Sequence, residues 1–263
     1  MSFAITVENL SKSFKETKAV KNISFQVPQK KIFAFLGPNG AGKSTTIKMM
    51  TTLLAPDSGS IVLEGVDALK NKDEARQSFG IVFQDQSLDD ELTTLENLEY
   101  HAALYHVPKE LRAKRIKKAL EIVDLWDRKD ALVKTFSGGM KRRLEIGRSL
   151  IHYPKILFLD EPTTGLDPQT RNSIWSHIKQ LNKEGMTIFF TTHYMPEVEE
   201  VADEVAIIDH GKIITQGSVS AIKKQTKTKS LEAAFLKLTG KHIREESASK
   251  LDGLRQRVKV MRR

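Results

Sequence analysis

The chain has no cysteine among its 263 residues. That excludes disulfide staples, thiolate nucleophiles and Cys-ligated zinc, and it suits a reducing compartment. The 40% hydrophobic content can fill the core of one large domain or of a core domain with an insertion. No run approaches the ~20 consecutive apolar residues that a bilayer span requires. The first ten residues lack the basic start and apolar block of a secretion signal, so a cytoplasmic location is expected. Internal repeats and low-complexity blocks are absent too, which excludes solenoids and arrays.

Charge is unevenly spread. The net charge is +9, and residues 221–263 hold 13 Lys and Arg against 4 Asp and Glu, so the excess lies wholly in that tail. A neutral body argues against a large nucleic-acid groove, and no nucleic-acid partner is expected. The tail reads as a solvated extension or as one lying near anionic lipid headgroups.

What is present is an alternation of strand and helix. "FAITVENLSKSF" and "NISFQV" alternate as strands of a small antiparallel sheet do. "KIFAFLG" followed by "STTIKMMTTLL" makes a strand, a loop and a helix, and "SGSIVLEG" and "FGIVFQ" add strands. From Ser87 to Leu150 the pattern turns helical, with Ile116, Ala119, Leu120 and Val123 spaced as a buried stripe. Strand character returns in "KILFLD", a continuous apolar run suited to a strand buried on both faces. A helix over about 171–183, "MTIFFTTH" and the hairpin "EVAIIDHGKIITQG" follow. The expected fold is α/β: a phosphate-loop (RecA-like) nucleotide core over 1–86 and 151–220 with an antiparallel β subdomain, an α-helical subdomain inserted at 87–150, and a basic helical tail over 221–263.

"GPNGAGKST", from Gly37 through Pro38, Asn39, Gly40, Ala41, Gly42, Lys43 and Ser44 to Thr45, matches the phosphate-loop pattern between a strand and a helix. Its glycines let successive amides point at phosphates, the helix beginning near Lys43 adds its positive end, and Lys43 can reach the β and γ oxygens. Ser44 offers a hydroxyl to Mg²⁺ and Thr45 a donor to the α-phosphate. Asp160, ending the apolar strand, is placed to hold Mg²⁺ through water, and Glu161 beside it is placed to act as general base toward an attacking water. His193, at another strand end, can bond a γ-phosphate oxygen or orient Glu161 and the water. Gln84 offers its amide oxygen to Mg²⁺ or to water. Farther along, "FSGGMKRRLEIG" reads either as an anion-binding glycine pair or as an ordinary loop onto a helix capped by Ser137.

Taken together, Gly37–Thr45, Gln84, Ser137-Gly138-Gly139, Asp160-Glu161, Asp167 and His193 resemble the ATP-binding cassette family over roughly residues 3–240. The resemblance implies an ATPase with ATP and Mg²⁺ as cofactors, acting as an ATP-dependent homodimer. In it Ser137, Gly138 and Gly139 would contact the γ-phosphate held by the other copy's Lys43, Asp167 would lie in the loop crossing that interface, and Phe14 would stack on adenine where tyrosine is commoner. The signature reads FSGGM where LSGGQ is usual, and Met140 cannot reproduce a glutamine's hydrogen bonds. "LFLDEPTTGLDPQTR" and "TTHYMPEVEEVADEVAIIDHGKI" are similar to the ATPases of daunorubicin-resistance-type multidrug exporters, whose relatives include nodulation-factor exporters. Such subunits pair with a separately encoded transmembrane permease, which implies peripheral attachment to the inner face of the membrane, with residues 88–105 as the docking surface. Other cassette roles carry the same ATP site: a soluble ATPase acting on nucleic acid or ribosomes, or the ATPase of an importer.

Overall fold

The structure, a computed structural model, describes residues 2–240. Strands β1 (Phe3–Phe14), β2 (Thr17–Pro28), β4 (Ser58–Leu63) and β5 (Val66–Asp67) form an antiparallel sheet in the order β2-β1-β4-β5. The second sheet runs β10-β9-β3-β8-β7-β6, with β3 (Ile32–Leu36), β6 (Phe79–Val82), β7 (Ile156–Asp160), β8 (Thr187–Thr192), β9 (Glu204–Asp209) and β10 (Lys212–Gly217). All its pairings are parallel except the β9–β10 hairpin.

Every residue of β3, β7 and β8 is buried, which is why these strands read as continuous apolar runs. The two-residue side-chain period divides them between two cores. Phe33, Phe35, Phe158 and Phe189 face the antiparallel sheet, where the first two and Phe189 meet Phe25 with ring centroids 5.4 to 6.1 Å apart and Phe158 meets Phe189 at 5.6 Å. Their neighbours Ala34, Leu36, Leu157, Leu159, Ile188 and Phe190 face the helices.

On that second side lie α3 (Thr94–Leu104), α4 (Lys109–Ile122), α5 (Gly138–Ser149), α6 (Pro168–Lys183) and α7 (Met195–Val201); α1 (Lys43–Met50) follows β3 and α2 (Lys72–Ser78) precedes β6. The stripe Ile116, Ala119, Leu120 and Val123 is buried as its spacing requires. Thr93 and Glu96 close a reciprocal cap at the start of α3. Two further helices, α8 (Val219–Thr226) and α9 (Leu231–Thr239), bury Ile222, Leu231, Ala234 and Phe235 in the same core. Residues 221–239 therefore pack on the body, while the rest of the basic stretch, 241–263, lies outside the described residues.

Three boundaries differ from those expected. α1 stops at Met50, four residues before the apolar pattern ends, because the chain turns at Thr51 and Thr52, the latter at φ 62°. α6 starts at Pro168, where Asp167 caps it and proline needs no intrahelical partner, rather than near Arg171. β6 ends at Val82, so Gln84 stands two residues beyond the strand.

Candidate functional site

The parallel pairing sets the carboxyl ends of four strands at one edge. Leu36 is level with Thr192, Asp160 with Thr191, and Val82 with Leu159. Ligands of open parallel sheets bind at this edge. A cavity of about 580 Å³ opens there, lined by Phe14, Ala19, Asn39, Gly40, Gly42, Lys43, Ser44, Thr45, Gln84, Glu161, Thr164 and His193.

Gly42 caps α1 at φ 108°, and a Cβ on it would sit 2.6 Å from the Ala19 carbonyl oxygen, so glycine is required for the loop to turn into the helix. Lys43 is 5% exposed; its Nζ donates to the carbonyls of Gly37 (2.8 Å) and Pro38 (3.2 Å) and lies 3.5 Å from Oε1 of Glu161. Burial lowers its pKa, partly offset by Glu161 and Asp160.

Ser44 Oγ lies 3.3 Å from Oδ1 of Asp160, and that same oxygen accepts from the Thr191 hydroxyl at 2.5 Å. A hydroxyl beside a fixed carboxylate is a hard-oxygen donor set, the kind magnesium takes when it shares its shell with phosphate and water, so these residues fit that ion. Glu161 follows at φ 49°, a left-handed conformation that is costly for a side-chain-bearing residue, and its N–H is held by the hydroxyl (3.0 Å) and carbonyl (3.2 Å) of Thr191. Its Oε2 accepts from Thr164 at 3.0 Å and lies 3.2 Å from Nδ1 of His193. Burial opposes ionisation of Glu161, but the Lys43 ammonium, His193 and Thr164 together outweigh it and hold the carboxyl below its usual range.

Phe14 lines the cavity and is 47% exposed, with the Lys12 ammonium 5.9 Å from its ring centroid. Gln84 lines the cavity by its position after β6. Ser137, Gly138, Gly139 and Asp167 do not line it. Ser137 caps α5, its Oγ accepting from the Met140 N–H at 3.3 Å, and both Ser137 and Gly138 are exposed. The side chain of Met140 packs on the helical core, so the unusual fifth residue of the signature serves as core. Gly139 is buried, and a Cβ there would stand 2.3 Å from Cγ2 of Thr170, whose N–H and hydroxyl both bind Asp167 (3.0 and 2.6 Å). The signature and the Asp167 loop are thus seated on each other within one chain.

Ala19, Thr164 and Thr191 belong to this site and were not singled out from sequence. The detectable signal for Thr191 was a hydroxyl inside an otherwise apolar strand end, "IFFTT".

The family model for ABC transporters matches residues 20–164. The chain belongs to the ABC transporter family. It is 45% identical over 214 residues to the linearmycin resistance ATP-binding protein LnrL of Bacillus subtilis (strain 168), covering 81% of this chain and 69% of that protein. To the daunorubicin/doxorubicin resistance ATP-binding protein DrrA of Streptomyces peucetius it is 42% identical, with coverages of 84% and 67%. Among solved structures, an ATP-binding subunit of an ABC transporter superposes with a TM-score of 0.81 at 27% identity, covering 90% of this chain and 99% of that one. CbiO1 from Clostridium perfringens, part of the ABC transporter complex cbiONQ, gives 0.77 at 32% identity (86% and 94%). The dimeric bacterial cassette MJ0796 gives 0.73 at 28% identity (81% and 98%). This ABC protein is accordingly an ATP-binding subunit that hydrolyses ATP for transport. ABC cassettes dimerise and pair with membrane subunits. Among the described residues no helix is long and apolar enough to cross a membrane.

Proposed function

We propose that two copies of this chain close head to tail over two ATP molecules and drive a separately encoded permease that exports a drug-like or amphipathic compound. The single observation carrying the dimeric site is the division of the motifs: Lys43, Ser44, Glu161 and His193 surround one cavity, while Ser137 and Gly138 are exposed outside it.

In this reading the loop amides and Lys43 hold the β- and γ-phosphates, Thr45 the α-phosphate, and Phe14 stacks on adenine. Ser44 and Asp160 would hold magnesium, and Gln84 would offer its amide oxygen to the metal or to the attacking water. Magnesium, when bound, neutralises charge on the β and γ oxygens. Glu161, already ionised, takes the proton of the attacking water, and His193 holds Glu161 and the γ-phosphate oxygen in place. Ser137, Gly138 and Gly139 of the second copy cover that phosphate, and Asp167 lies at the interface.

Export is supported by the relatives' roles in linearmycin and daunorubicin resistance and in Nod factor export. The permease docks on residues 88–105, where Tyr100 and Leu104 lie one turn apart on α3 and are 65% and 58% exposed. That arrangement sets the chain on the cytoplasmic face of the membrane.

Glu161→Gln keeps the shape and removes the proton acceptor. Turnover should fall by about 10²-fold or more with ATP affinity retained. A variant with wild-type kcat would remove Glu161 from the base role.

A further inference from the structure

Glu197 is a charged residue on α7 that takes no part in the site described above, yet it is only 4% exposed. Two side chains from separate segments reach its Oε1, while its buried Oε2 has no hydrogen-bond partner among the described residues. Thr163, two residues after Glu161, donates its hydroxyl to Oε1 at 2.6 Å. Arg171, on α6 four residues after Asp167, brings Nε to 3.4 Å from the same oxygen and donates from a terminal nitrogen to the Leu166 carbonyl at 3.4 Å. The same guanidinium lies over the ring of Tyr194, 4.7 Å from its centroid, and Tyr194 follows His193 directly.

We propose that Glu197 is a positioning residue for hydrolysis: its buried carboxylate clasps the 161–167 loop to the start of α7 and so sets the approach of His193 to Glu161. The inference rests on the roles proposed for those two residues. The physical case is economy of connection. A buried carboxylate needs partners, and those it has here are drawn from the loop carrying Glu161 and from the helix that Asp167 caps, while its own helix begins two residues after His193. Glu161 itself is held at a left-handed φ of 49°, a conformation that persists only when its surroundings over-determine it. Thr191 fixes its backbone from β8, and the Glu197 clasp fixes the chain two residues on.

The test is a double-mutant cycle on the full chain, reading kcat, ATP affinity by calorimetry and the thermal midpoint. Glu197→Gln should lower kcat roughly tenfold while ATP affinity stays within about twofold, because the phosphate loop is untouched. In a His193→Ala background the same change should have no further effect on kcat, since its route is already removed. Thr163→Val, which breaks the hydroxyl contact but keeps the Glu197–Arg171 ion pair, should also lower kcat and decides the matter if the glutamine variant does not fold. Wild-type turnover in Glu197→Gln or Thr163→Val, or losses that simply add to that of His193→Ala, would overturn the proposal. Full turnover in His193→Ala alone would instead strike the underlying reading of His193.

Discussion

At the scale of single residues, the site depends on groups whose surroundings allow no ordinary substitute. Lys43 is buried against loop carbonyls and a carboxylate, and burial of the Glu161 carboxyl is outweighed by Lys43, His193 and the Thr164 hydroxyl, which hold its pKa below the usual range. Gly139 is the sharpest steric case. Thr170, which a methyl at Gly139 would strike, is β-branched and tied to Asp167 by two hydrogen bonds, so it cannot rotate away cheaply. Gly139→Ala should therefore displace the signature from the start of α6. The expected outcome is ATP affinity of the isolated chain unchanged within about twofold and turnover reduced by about tenfold or more; titration calorimetry with a phosphate-release assay checks it. Normal turnover would show that the contact between signature and Asp167 loop is immaterial.

At the scale of elements, α3 carries both a buried and a solvent-facing message. Leu98 and Ala102 anchor it, Tyr105 stacks on His152 at 4.0 Å just beyond its end, and Tyr100 and Leu104 remain outside. Tyr100→Arg should leave solution ATPase within about twofold of wild type while abolishing co-purification with the permease; intact assembly would move the docking surface elsewhere. The buried strands and the α4 stripe were legible in the chain because one side-chain period ran unbroken through each. The ends of α1 and β6 were not. The apolar letters of "TTLL" continue past a turn made at positive φ, and "FQ" continues an apolar strand whose partner β7 ends at Asp160. Local pattern carries no record of where the neighbouring strand ends. Thr191 and Thr164 escaped notice for a related reason, since a threonine's meaning depends on which carboxylate lies across the sheet edge.

At the scale of the whole molecule, two cores meet on opposite faces of one sheet, and the cavity lies where β3, β7 and β8 end. The phosphate loop and the two acids could be read as one site because a short sequence pattern and a strand end locate them. The signature's separation from that site was implied by the family resemblance and not by any local pattern, because which side of the body α5 presents is decided by packing of α3, α4 and α6 against the helical core. The central claim concerns two molecules: the cavity and the signature complete each other only between copies. The most direct measurement is the mass of Glu161→Gln by light scattering on gel filtration, with and without Mg·ATP. The account predicts a monomer without nucleotide and a dimer of twice the chain mass with it, reverting when Ser137→Arg is added. A Glu161→Gln protein saturated with Mg·ATP that stays monomeric, alone and with its permease, would contradict it.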